Sequence, residues 1–219
     1  MSLTIQQIYN RYPITPNLAR HMLRVAAVAR LIVRNWKGPE INGELITRIA
    51  LLHDTGNILK FDLDGHSELL DEEQGNVEHW KALQKEAREK YGSDEHHMTL
   101  EIAEECGYSD DELAIMAGMG FGKSDEIADS PNYHRKIINY ADQRVGPFGV
   151  LSLVERLDEA RKRYENHPHK NRDWSRTALL IQCIQQIESQ IIQHCSIKSE
   201  DITDDAIRDD VEVLRSYVI

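Results

Sequence analysis

Apolar residues recur every three or four positions along most of this chain, and alternating apolar–polar runs are scarce. That period belongs to amphipathic helices, so the pattern predicts an all-α fold of roughly eight helices. The first clear helix is read in ITPNLARHMLRVAAVARLIVRNWKGP, with Leu18, Met22, Val25, Ala29 and Ile32 on one face. Thr15 is its expected N-cap, Pro16 its first helical residue, and Gly38 and Pro39 its stop. The second, GELITRIALLHD, sets Ile46, Ile49, Ala50 and His53 on one stripe, and a Thr-Gly-Asn turn ends it. Further helices are read in WKALQKEAREKYG, in HHMTLEIAEECG closed by Gly107, and in SDDELAIMAGM behind a capping box of Ser109 and Glu112. SPNYHRKIINYADQRVG is expected to start at Ser130 and Pro131 and to end at Gly146. VLSLVERLDEARKRYENH, SRTALLIQCIQQIESQIIQHC and TDDAIRDDVEVLRSYVI complete the helices. Residues 60–80 are polar and turn-rich, and are expected to form a loop with short helical pieces.

No repeat or low-complexity linker divides the chain. The expected organisation is one helical domain over residues 1–165 that carries the chemistry, with C-terminal helices over 166–219 packed on it. Leu179, Leu180, Ile184, Ile187 and Ile191 form an apolar stripe in that C-terminal part. They are read as packing residues, or as the face of a homodimer.

The chain has 219 residues, enough to bury a real core. Lys and Arg total 26 against 37 Asp and Glu, a formal net charge of −11. That balance argues against nonspecific binding to nucleic acid or to an anionic membrane. It leaves room for a small phosphorylated ligand, because a bound metal reverses the sign locally. Cys106, Cys183 and Cys195 are few, odd in number and without CxxC spacing, so they are read as free thiols in a reducing compartment. The opening MSLTIQQIYNRY lacks the apolar stretch of a signal peptide, and no window is apolar enough to span a bilayer. A cytoplasmic location is expected.

One stretch does not fit a purely structural helix. In IALLHDTGN, residues 49–57, an apolar run ends on His53 and Asp54. A carboxylate at the end of a buried stretch is costly unless something compensates it. A helix C-terminus makes the cost worse, since its dipole favours cations. His21 lies one turn after Leu18 and one turn before Val25, and so points inward. Asp142 lies one turn after Ile138 and joins an apolar stripe. Two imidazoles and two carboxylates from three helices thus face the core. Any one of them alone reads as a core histidine or a salt-bridged acid. Together they call for a divalent metal, which neutralises the carboxylates and accepts a mixed nitrogen and oxygen shell.

The order His21, then His53 and Asp54 ending an apolar helix, then Asp142 in NYADQRVG, resembles the HD-domain metal-dependent phosphohydrolase superfamily, in particular its small stand-alone members. The resemblance covers about residues 15–165. It implies a helical domain with one or two divalent metals at its centre, and hydrolysis of a phosphomonoester or phosphodiester, often in a nucleotide. It assigns His21, His53, Asp54 and Asp142 as metal ligands. Manganese, iron, cobalt, nickel or zinc suits that donor set, and magnesium less well.

Further positions follow from the resemblance and from charge. Asp62 sits in the loop after the HD helix, where some members carry an acid; with Asp54 it is a candidate catalytic group, or else one more solvated carboxylate. Lys60, Arg144 and Arg20 are candidates to hold phosphate, or else ordinary cations of the surface. His96 and His97 open a helix that begins with a histidine in two-metal members, and His97 is the candidate substrate or metal contact. Two departures stand beside these. The place of a further histidine reads AIMAGMGFG, and Asn57 stands where many members carry lysine or glutamate. They keep open a second reading, a non-catalytic sensor or ligand-binding protein on the same fold. AGMGFGKS nearly matches a phosphate-cradling loop, but Ala117 replaces its first glycine and it follows a helix rather than a strand. It is read as a helix-breaking loop able to form a rim over the site.

Overall fold

The computed structural model describes residues 3–64, 77–165 and 174–219. Eleven α-helices lie among these residues: α1 (Ile5–Arg11), α2 (Pro16–Arg34), α3 (Gly43–Leu52), α4 (Val77–Tyr91), α5 (Glu95–Glu105), α6 (Asp110–Ala117), α7 (Ser124–Asp129), α8 (Tyr133–Arg144), α9 (Leu153–Glu165), α10 (Trp174–Ile192) and α11 (Asp204–Arg215). The all-α expectation holds. Extended pairing among the described residues is confined to three isolated bridges.

The helix starts follow local chemistry. Thr15 accepts the Leu18 amide and Pro16 occupies the first turn of α2, as its sequence predicts. Ser109 and Glu112 close a reciprocal capping box on α6. α5 is capped by Asp94, and Gly107 beyond it takes φ 82°, the left-handed conformation that glycine adopts without cost. α8 starts later than expected. Asn132, not Ser130, accepts the Arg135 amide, while Ser130 receives the Asn132 N–H. α2 stops earlier than expected, at Arg34 rather than at Gly38. Asn35 turns its side-chain amide onto the Leu31 carbonyl, and Trp36 then pairs with Cys195 across the fold. A tertiary bridge therefore ends this helix ahead of its glycine. The short helices α1 and α7 carry too few periodic positions to stand out in the sequence.

α2 is the central element, packed against α3, α8 and α11. Its residues Val25, Ala26, Val28, Ala29 and Ile32 are fully buried, which is why the apolar run VAAVA can be continuous rather than striped. α10 lies on α7 and α8, and Leu180, Ile184, Ile187 and Ile191 are buried there. Apart from Leu179, which stays half exposed, the stripe read as a homodimer face is consumed inside the chain. The boundary expected between residues 165 and 166 falls at the edge of the described segments. No described helix is long and apolar enough to cross a membrane.

Candidate metal centre

Three helices deliver four ligand groups to one point. His21 comes from the middle of α2, and Asp142 from the last turn of α8. His53 is the residue that closes α3, and it keeps helical backbone angles (φ −58°, ψ −22°). Asp54 follows at once. The chain then turns through Thr55 and Gly56, so the carboxylate leaves the helix axis beside the imidazole that precedes it.

The groups are close. His21 Nε2 lies 3.1 Å from Asp142 Oδ1 and 3.8 Å from Asp54 Oδ2. His53 Nε2 lies 3.6 Å from Asp142 Oδ1 and 3.7 Å from Asp54 Oδ2. One ligand atom from each of the four residues falls within 4.8 Å of all the others. His53 Nδ1 sits 2.8 Å from the Ala50 carbonyl, which can only accept, so Nδ1 carries the proton of the neutral ring. The lone pair is thereby placed on Nε2, which is buried and has no hydrogen-bond partner. An orphaned imidazole nitrogen aimed between two carboxylates is what a cation-binding shell requires, and the donor set fits a divalent ion.

The electrostatics agree. Burial opposes a charge on His53, but the Asp54 and Asp142 carboxylates outweigh it, and its pKa is pushed up to about 9. Burial works against the Asp142 charge too, yet His21 and His53 hold its carboxyl well below the usual range. Gln143 Nε2 donates to Asp142 Oδ2 at 2.8 Å and fixes the second oxygen. The cluster is thus a set of groups whose charges stay balanced only while a positive charge, proton or metal, sits among them.

Beside the cluster lies a small cavity of roughly 40 Å³ that opens to solvent. His53, Asp54 and Asp142 form one wall, and His96, Thr99 and Leu100 of α5 another. Met116, Ala117, Met119 and Gly120 close the far side, so the loop read as a rim does line the site. α5 is seated by the turn after Asp54. The Gly56 N–H donates to Thr99 Oγ1 at 2.9 Å, and a Cβ at 56 would come within 2.1 Å of the Glu95 carbonyl.

The outlying candidates fare differently. Arg144 is buried and directed away from the cluster. Its Nε donates to the Leu151 carbonyl, Nη1 to Tyr140 Oη and the Ser199 carbonyl, and Nη2 to the Ile202 carbonyl. It ties the chain after α10 to α8, and its committed donors correct the expectation of a phosphate ligand. His97 is exposed and paired with Glu101 at 2.9 Å, and its neighbour His96 takes the place at the cavity. The histidine pair was legible in the sequence, but the helical phase that chooses between two adjacent residues was not. Lys60 is half exposed with Glu95 at 4.0 Å. Arg20, beside His21 on α2, and the exposed Asp62 lie outside the residues that form the cavity wall. The thioethers of Met116 and Met119 are wall residues that carried no signal beyond their apolar character.

Comparison with known proteins agrees with this geometry. The HD domain family model matches residues 18–111, a span that holds His21, His53 and Asp54. The chain is 29% identical over 126 residues to the 5'-deoxynucleotidase YfbR of Salmonella typhi, a match covering 52% of this chain and 62% of that protein. It is 30% identical over 122 residues to the protein of the same name from Salmonella arizonae, covering 50% of this chain and 60% of the relative. The match thus spans about three-fifths of the length of these curated relatives. No solved structure gives a significant match. The chain is thus similar to HD-domain proteins over residues 18–111, a stretch that carries three of the four ligand residues gathered at one centre.

Proposed function

We propose that the protein is a metal-dependent phosphohydrolase that cleaves a phosphomonoester or phosphodiester bond in a nucleotide or a small phosphorylated metabolite. The observation that carries this reading is the four-residue cluster with its orphaned His53 Nε2, set in the wall of an accessible cavity. His21 and His53 supply nitrogen donors, and Asp54 and Asp142 supply the negative charge that a dication needs. Two imidazoles favour manganese, iron, cobalt, nickel or zinc over magnesium. When bound, such an ion polarises a phosphoryl oxygen and lowers the pKa of water.

The chain's own residues do the rest. Asp54 lines the cavity with Asp142, which supports it as the candidate carboxylate to take a proton from water. His96 and Thr99 offer polar contacts on the opposite wall, and the methionine and leucine side chains exclude solvent from the face between them. Asp62 would serve as acid or base only if a substrate extended to its exposed position. The relatives named 5'-deoxynucleotidase make deoxyribonucleoside 5'-monophosphates the first substrates to test.

The test is metal content and turnover measured on the same preparations. Wild-type protein is expected to hold metal in stoichiometric amount and to release phosphate from a panel of monoesters and diesters. His53→Ala and Asp54→Ala are expected to lose metal and turnover together. Full turnover in either variant would overturn the assignment. Asn57 favours one second reading: it is buried, its backbone N–H donates to the Asp54 carbonyl at 2.9 Å, and it brings no charge there. Tight ligand binding without turnover by the metal-loaded protein would select a sensor instead.

A further inference from the structure

The cavity wall at the end of α6 is held from outside by two cations. Arg135, in the first turn of α8, lays its guanidinium on Gly118, where a Cβ would meet Nη2, Cζ and Nε at 2.6–2.8 Å. Its Nη2 donates to the Gly118 carbonyl at 2.7 Å. Lys123 Nζ donates to the Ala117 carbonyl at 2.6 Å. Both acceptors are neutral groups at the C-terminal end of α6. Among the described residues, neither cation has a carboxylate at ion-pair distance.

Three features mark this place as more than a helix cap. Arg135 adds charge to the positive end of α8, the end where a helix disfavours a cation. Its Nε is buried and has no hydrogen-bond partner. One turn on, Asn139 is fully buried with neither amide atom bonded. Helical phase sets Asn139 between Arg135, which reaches Gly118, and Lys136, which reaches the Ala128 carbonyl at 3.1 Å. The unbonded amide therefore lies on α8 one turn beyond Arg135. Unmet donors and an unpaired cation gathered within two turns of one helix are rare in a folded chain. Meanwhile the described residues that line the wall include no lysine or arginine.

We propose that Arg135, with Lys123 beside it, is an anion subsite for a second charged group of a phosphorylated substrate. The proposal rests on the phosphohydrolase reading. Arg135 stands seven residues before Asp142, about 10.5 Å along the helix, so the group it binds is not the one at the metal cluster. The ligand class is a phosphoester carrying a further phosphate. A phosphate oxygen makes a charge-assisted hydrogen bond to guanidinium, stronger than the carbonyl contact it replaces, and Nε gains the partner it lacks. Release of Gly118 costs little where Gly118, Gly120 and Gly122 follow one another at alternate positions.

Calorimetric binding of 2'-deoxyadenosine 5'-monophosphate and 2'-deoxyadenosine 3',5'-bisphosphate to the manganese-loaded protein tests it. The wild type is expected to prefer the bisphosphate by about tenfold, the value of one added charge-assisted contact. Arg135→Gln is expected to erase the preference while leaving monophosphate affinity and metal content unchanged, and Arg135→Lys to keep part of it. Equal affinities in the wild type, no binding of either compound, or a preference that survives Arg135→Gln would overturn the subsite. If Arg135→Gln fails to fold, Lys123→Gln decides by the same comparison. Turnover on the ester panel separates the two ideas. Hydrolysis without bisphosphate preference sinks the subsite alone, and metal-loaded protein with no turnover sinks the enzymatic reading.

Discussion

At the scale of single residues, His53 decides how the centre responds to pH. Its Nδ1 is committed to the Ala50 carbonyl, so any proton gained goes to Nε2, the atom a metal would use. The neighbouring carboxylates push its pKa up to about 9 from an ordinary 6.5. The sign follows. In metal-free protein the protonated ring stabilises the fold fully below pH 6.5, and that contribution is lost as pH rises through about 9. A metal at this centre would have to displace this proton, so metal affinity is expected to rise with pH and to level off above about 9. Titration calorimetry at pH 7 in buffers of different ionisation enthalpy should show release of about one proton per metal bound, shrinking above pH 9. Binding at pH 7 with no proton release would remove His53 from the shell. The same scale explains what was legible beforehand. His21, His53 and Asp142 were readable because each follows an apolar residue by one turn. Arg144 lies two positions after Asp142, roughly 200° around the helix, and so could not share its direction. His96 and His97 could not be ranked, because the phase of α5 depends on where Asp94 caps it.

At the scale of elements, the caps that a sequence announces are those it makes with its own neighbours. Thr15 and Ser109 use side chains three residues from the amides they accept, and their helices start where expected. The end of α2 depends on Trp36 meeting Cys195, which is 159 positions away and invisible to any local pattern. The join between α3 and α5 is of this second kind. Gly56 lets the turn after Asp54 press against α5, where a Cβ would sit 2.1 Å from the Glu95 carbonyl. That neighbour is backbone and cannot rotate aside. Gly56→Ala is therefore expected to cost about 2–4 kcal/mol in denaturant unfolding. It should also push His96 and Thr99 away from the cluster, so turnover falls further than metal content. An unchanged unfolding midpoint would show that α5 is not seated by this contact.

At the scale of the whole molecule, the centre acts as a clasp. α2, α3 and α8 are brought together by apolar packing around Met22, Ile49 and Ile138, all fully buried. Where the three meet, they present two carboxylates and two imidazoles that only a positive charge can reconcile. α2 also carries α11, where Asp210 accepts from Arg34 at 2.6 Å, so one element joins the cluster to the C-terminal helix. A dication that binds the folded arrangement and not the open chain stabilises the whole fold by mass action. At a free concentration one hundred times its dissociation constant, the gain is about 2.7 kcal/mol. For a chain of this length that amounts to roughly 5–10 °C in Tm. Removing metal with a chelator should lower Tm by that amount, and adding manganese should restore it. Asp142→Asn, which keeps the shape and removes the charge, should unfold at one temperature with or without the ion. If the variant still responds as the wild type does, the stabilising ion binds elsewhere, and the three helices are held by packing alone.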